Sequence, residues 1–297
     1  MFVLVIALFA PFFYSFANII ECKLSNNIFK HPVTMIFYIS LMNCLFLPLL
    51  LIFGLPTLVS PFMLLIYLIL AVIDVMYLFP YYKAMKEIDT SIVSALFSLG
   101  QITIPVLTYF LLDEKLNIFQ YIGFGIIIFA SVVLSINDFY GLKLNKAFYY
   151  MVGVSLLRAF YVVLEKYAFN YDSSWINMVI YVNAMSSLLP FLFLFDKKHN
   201  KMIKSAFNEY RKNTKIFCVN ELFCFLGATC CIYGLSQLSA VVSSAINATA
   251  PIFLLIISLG LEYVFGIKVK ETITPLIMAK KVICYALIIV GVVMVSL

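Results

Sequence analysis

LLDEKLNIFQYIG, residues 111–123, ends one apolar run and begins another. It places Asp113, Glu114 and Lys115 side by side, with Gln120 soon after. In so apolar a chain, a tight charged corner marks a hairpin between two helices. A similar corner, SLGLEYVFGIKVKE (258–271), returns near the end, with Glu262 148 positions after Glu114. The small-residue runs before the two corners keep the same spacing: SIVSALF begins at Ser91 and SAVVSSA at Ser239. IGFGIIIFASVVLS (122–135) resembles ICYALIIVGVVMVS (283–296) after a short insertion near 267–280, and Pro48 and Pro190 take similar places in the second helix of each half. Repetition at half the chain length decides the architecture, because each half is then one structural unit.

The composition says where such a unit is stable. Of 297 residues, 64% are hydrophobic and 11% charged, with a mean hydropathy of +1.07. A soluble domain is nearer half apolar and a quarter charged. A bilayer accommodates the excess, and within it helices satisfy their own backbone. The runs are continuous rather than alternating, which argues against a transmembrane barrel. Ten segments are long enough to span: 2–20, 33–54, 62–83, 91–112, 118–136, 148–168, 175–195, 217–237, 241–265 and 281–297. The expected fold is an all-α polytopic membrane protein whose ten transmembrane helices form two inverted five-helix repeats, residues 1–140 and 141–297. Five is odd, so the second half enters the membrane from the opposite side. Inverted repeats of this kind recur in secondary transporters.

The charges agree. Apart from Arg158, Lys115 and Lys166, every Lys and Arg lies at the connections after the first, third, fifth, seventh or ninth segment. The net charge of +6 is therefore read as an orientation signal, not as a nucleic-acid surface. This distribution puts the basic loops in the cytoplasm and both termini outside. The N-terminal stretch MFVLVIALFAPFFYSFANII lacks a basic leader and a small-residue cleavage site, and reads as the first span. The seven cysteines show no paired CxxC spacing and mostly sit in apolar runs, as small buried hydrophobes do. His31 and His199 fall in loops. No metal site and no cofactor is expected. Tyr81, Tyr82, Tyr149, Tyr150 and Trp175 fall at segment ends, where rings favour the headgroup zone. The long basic connection 196–216 reads equally as an interfacial helix or a solvated loop.

The stretches 91–135 and 239–266 resemble the drug/metabolite transporter superfamily, specifically its ten-helix EamA-type members. The shared pattern is a small-residue run, a helix often containing Pro, an acidic-basic-Leu corner and a Gly-containing helix. Asp113-Glu114-Lys115-Leu116 fits that corner. The second copy departs from it, with Tyr263 after Glu262, and Pro105 lies closer to its corner than Pro251 does. The resemblance implies export or exchange of small metabolites without ATP hydrolysis, through a cavity lined by the first, third and fourth helices of each half. It also implies cytoplasmic termini, opposite to the loop charges.

Ionisable groups inside apolar runs are the candidate site. Asp74 lies within LIYLILAVIDVMYLFPYY and Arg158 within YYMVGVSLLRAFYVVLEKYAF. Each costs about 2.5–3.5 kcal/mol at a helix centre, so each needs a partner or water. Either they pair as structure, or they meet substrate or a proton; the two are compatible. Asn18, Gln101 and Asn247 are polar groups within apolar helices, read as interhelical hydrogen bonders or cavity lining. Tyr14, Tyr77 and Tyr161 are further candidate lining residues. Glu221 and Glu165 lie nearer helix ends and read as snorkelling. The Glu114 and Glu262 corners read as hairpin caps, too shallow for a mid-membrane site. No P-loop, H-E-x-x-H or Gly-x-Ser-x-Gly element is present to support an enzyme. The expected function is a secondary transporter in the plasma (inner) membrane, with a small-molecule substrate, compatible with a coupling ion or proton. The alternative is a membrane scaffold or receptor-like subunit.

Overall fold

Proline and serine set most helix boundaries in this chain. The computed structural model describes residues 2–29, 31–87, 93, 96–97, 100, 103–113, 115–135, 146–265 and 275–296. Helix α1 spans Phe2–Lys23 and continues as a π turn to Ile28. Helix α2, Pro32–Leu50, starts on a proline, whose missing N–H has no partner to lose in a first turn. Helix α3, Pro61–Met76, starts likewise, and Ser60 caps it by accepting from the Met63 N–H. Helix α4, Leu78–Glu87, follows after a break at Tyr77. Pro80 explains the break, since it cannot donate to the carbonyl of Met76.

Helix α5, Ile104–Leu112, runs into the corner on which the sequence reading began. Asp113 ends it in the left-handed region, φ 53°, and its N–H bonds the Thr108 carbonyl. Helix α6, Ile118–Ser135, starts with a reciprocal cap. The Gln120 N–H donates to Asn117 Oδ1 at 2.8 Å, and the Asn117 N–H donates to Gln120 Oε1 at 3.0 Å. The corner therefore closes one helix and opens the next. Glu114, at its centre, lies outside the described residues.

Helix α7 spans Lys146–Asp172, and α8, Trp175–Leu188, is capped by Ser174. Near Pro190 the α8 backbone tightens into a 3-10 turn over Leu189–Leu194. Helix α9 is a continuous Lys197–Gln237, 41 residues, or about 60 Å along its axis at 1.5 Å per residue. The basic connection 196–216 is thus helical, not a loop. Ile203, Tyr210 and Phe217, seven residues apart, bury one stripe of it. Tyr210 stacks on Tyr38 of α2 at 4.4 Å, and the Tyr38 hydroxyl donates to the Ile203 carbonyl at 2.7 Å. Helix α10, Ala240–Asn247, and α11, Ala250–Phe265, are separated just before Pro251, a second break beside a proline. Helix α12 spans Pro275–Ser296.

Seven helical stretches among the described residues are long and apolar enough to cross a membrane: Phe2–Ile28, Pro32–Phe53, Pro61–Glu87, Trp175–Leu194, Lys197–Gln237, Ala240–Tyr263 and Met278–Val295. The chain is an integral, multi-pass helical membrane protein. Its outward surface carries Phe9, Leu45, Ile52, Leu65, Phe110, Phe129, Ile283 and Val290, an apolar area suited to lipid and not to water.

Small residues bring paired helices close. Helix α1 packs along α9: a Cβ built on Gly227 would lie 3.0 Å from the Tyr14 ring, and one on Gly234 would lie 2.9 Å from Ala7 Cβ. The Phe16 and Phe223 rings stack at 4.7 Å across this seam. Helix α6 packs along α12, where a Cβ on Gly123 would lie 2.7 Å from the Gly291 carbonyl oxygen and the reverse approach is equally close. Helix α7 packs on α3 and α4, and α2 on α8.

Candidate functional site

Asp74 comes from α3 and Arg158 from α7, and the packing of these helices joins them. Arg158 Nη1 donates to Asp74 Oδ1 at 3.2 Å. Each charge is followed one turn later by a tyrosine on its own helical face: Tyr77 after Asp74 and Tyr161 after Arg158. Both rings meet the guanidinium, with its Cζ 5.0 Å from the Tyr77 centroid and 4.5 Å from that of Tyr161. Such contacts stabilise a desolvated cation by about 2 kcal/mol. The arginine side chain remains 26% exposed and the aspartate 32%. The charge pair, set among the helices, is therefore not sealed off.

The remaining candidates divide. Tyr14 lies on α1 within electrostatic reach of Arg158, Tyr77 and Cys231. Asn18, one turn on, accepts from the Tyr81 hydroxyl at 2.9 Å. Asn247, at the end of α10, donates to the Ser243 carbonyl at 3.1 Å and faces Cys231 Sγ at 3.5 Å. Asn18 and Asn247 thus make the interhelical and helix-end bonds expected of polar groups in apolar helices. Gln101 lies outside the described residues. Glu262, at the second corner, is half-buried at the end of α11.

Several sequence expectations are corrected. Glu165 and Glu221 do not snorkel: each is 3% exposed. Their helices continue past them on both sides, so neither carboxylate stands at a helix end. Tyr81 and Tyr82 are buried within the bundle, because α4 packs against α7 and α2 instead of ending at the headgroups. Tyr149, by contrast, is exposed. Glu21 escaped the sequence reading altogether. It was set outside the first span, yet α1 continues beyond it and buries it. Its signal was present: Tyr14, Asn18 and Glu21 follow at four and three residues, one face of a helix.

Residues 1–136 match the EamA-like transporter family, consistent with the drug/metabolite transporter superfamily. No curated protein matches the chain. A protein of known crystal structure has a similar fold, with a TM-score of 0.66 over 98% of this chain and 95% of that one, at 13% sequence identity.

Proposed function

We propose that this chain, EamA-like over residues 1–136, is a secondary transporter that moves a small zwitterionic or amphipathic metabolite by alternating access. The observation that carries the reading is the Arg158–Asp74 pair, its guanidinium packed against two tyrosine rings and both charges still partly exposed. Asp74 meets an ammonium group and Arg158 a carboxylate or phosphate. A solute bearing both signs replaces the pair's mutual attraction with two contacts of its own. Tyr77 and Tyr161 supply apolar faces beside it.

The architecture proposed is ten spans in two inverted five-helix halves, 1–140 and 141–297. The pairing of helices supports it. Helix α1 of the first half packs on α9, the third span of the second. Helix α7, the first span of the second half, packs on α3 and α4, the third span of the first. The second spans pair as α2 with α8, and the fifth as α6 with α12. The Pro80 and Pro251 breaks give discontinuous helices of the kind found at transporter sites.

Thermal unfolding of the purified protein tests the binding reading. A ligand at a hundred times its Kd stabilises the folded state by about 2.7 kcal/mol. In a panel of amino acids, nucleotides and cationic metabolites, solutes carrying both charges should raise the midpoint, and Asp74→Asn should remove the rise. A panel that leaves the midpoint unmoved argues for the scaffold or receptor-like reading.

Orientation follows from the basic connections. Helix α9 carries Lys201, Lys204, Arg211, Lys212 and Lys215 exposed on its first half. We place this stretch on the cytoplasmic side of the plasma membrane, with both termini outside. Ser205→Cys, in a background lacking the exposed Cys218, should resist an impermeant thiol reagent in intact cells and react after permeabilisation. Labelling in intact cells would reverse the orientation.

A further inference from the structure

Glu21 and Glu221 are buried carboxylates that the Asp74–Arg158 centre does not use. Glu21 is 8% exposed on α1, and Glu221 is 3% exposed on α9. Asn220 and Cys224 join them. Asn220 Nδ2 donates to Glu221 Oε1 at 3.2 Å and lies 3.7 Å from Cys224 Sγ. The Cys224 thiol in turn faces Glu21 Oε1 at 3.9 Å. Among the described residues neither carboxylate has a cation within 4 Å. The titratable groups facing the pair are otherwise neutral donors: Tyr77, Tyr81 and Tyr82 from the broken α3–α4 span, and Cys224 and Tyr210 from α9, with Asp74 beyond Cys224.

Two fully ionised carboxylates in this setting would repel each other in a medium that solvates neither. A second observation points to what relieves them. Asn220 Oδ1 belongs to a side chain with no exposure and has no hydrogen-bond partner among the described residues. An unpaired acceptor beside two carboxylates lacks a donor, and an O–H of a protonated carboxyl is one. A metal ion would need more oxygen ligands, and no group of three His, Cys, Asp or Glu side chains among the described residues is arranged to hold one.

We propose that Glu21 and Glu221 form a shared site for one proton between α1 and α9, and that loading and unloading this site couples transport to the pH gradient. The inference rests on the transporter reading above. In the arrangement seen here, one carboxylate takes a proton from solution to become a carboxyl, and its O–H serves the cluster. When α1 parts from α9 and water enters, the proton leaves and the carboxylate is hydrated. The site is connected to the charge pair: Tyr81, which faces Glu21, donates to Asn18, and Tyr77 packs on Arg158. A movement of α1 that empties one is felt at the other.

Two measurements on the full-length protein in lipid vesicles test this. Infrared spectroscopy at neutral pH should show the carbonyl band of a protonated carboxyl, lost in the Glu21→Gln, Glu221→Gln double variant. This readout needs no substrate, so it stands even if the transporter reading fails. In flux assays, a pH gradient should drive accumulation by the wild type. In Glu21→Gln and Glu221→Gln the ratio of flux with and without the gradient should fall to one, while exchange at equal pH persists. The glutamine amide can still donate to Asn220 Oδ1, so the variants remain folded. Absence of the band, an unchanged gradient dependence in both variants, or accumulation driven by sodium in place of protons would overturn the proposal. A wild type that moves no solute would instead defeat the transporter reading.

Discussion

Asp74→Asn and Arg158→Gln each cut transport sharply while leaving the protein inserted and folded. Either change strands one charge among spanning helices. Removing one partner of a fully buried pair costs about 3–5 kcal/mol. This pair is partly exposed, at 26% and 32%, so the penalty is smaller. A loss of about 1.4–2.8 kcal/mol is a roughly ten- to hundredfold fall in flux. The two tyrosine rings hold the guanidinium in place, so Arg158→Lys does not rescue: an ammonium lacks the planar fork that meets carboxylate and rings together. The double variant separates two roles. If the pair only neutralises itself, Asp74→Asn with Arg158→Gln recovers much of the flux lost in either single change. If both groups meet solute, the double variant stays inactive, which is the expected result. Near-normal flux in both single variants would remove the pair from the site. Initial rates in vesicles, normalised to inserted protein, decide among these outcomes.

A disulfide between α1 and α9 abolishes transport reversibly. In the proposed architecture these helices belong to different halves, whose rocking must part them. Gly234 and Ala7 approach closely, with an ideal Cβ on Gly234 2.9 Å from Ala7 Cβ. A disulfide needs about 3.5–4.5 Å between Cβ atoms, so Ala7→Cys with Gly234→Cys asks for a shift of under an ångström outward. Cys230 and Cys231, nearby on α9, are replaced by alanine to keep the pairing unique. Oxidation should bring flux to background and reduction should restore it. The reduced double variant serves as its own folding control. Full flux in the oxidised protein, with the bond verified by mass spectrometry, would mean that this seam does not open.

The helical membrane fold was legible because lipid imposes a simple rule: a span is a long apolar run, and 64% hydrophobic content leaves little else. The corner at 111–123 was legible because consecutive charges interrupt two apolar runs; its reciprocal Asn117–Gln120 cap was not singled out. Asp74 and Arg158 stood out by cost alone, and the structure joins them. Burial was harder to read. Glu21, Glu165 and Glu221 look interfacial when a helix is assumed to end where its apolar run ends. Helices α1, α7 and α9 instead extend beyond the apolar runs, and packing against other helices sets the burial. The 41-residue α9 was hidden for the same reason. Its first half is polar on one face, and its apolar stripe of Ile203, Tyr210 and Phe217 repeats only once per two turns. Tyr81 and Tyr82 read as headgroup anchors because sequence position does not show which face of α4 meets α7.

Flux through purified protein tests the central claim most directly. Vesicles preloaded with unlabelled solute are offered the labelled solute outside, across a panel of amino acids, nucleotides and cationic metabolites. The account predicts saturable, solute-selective counterflow for at least one compound bearing both an ammonium and an anionic group, lost in Asp74→Asn. Uptake that is absent across the panel, or that rises linearly with concentration and is the same in Asp74→Asn, would contradict it.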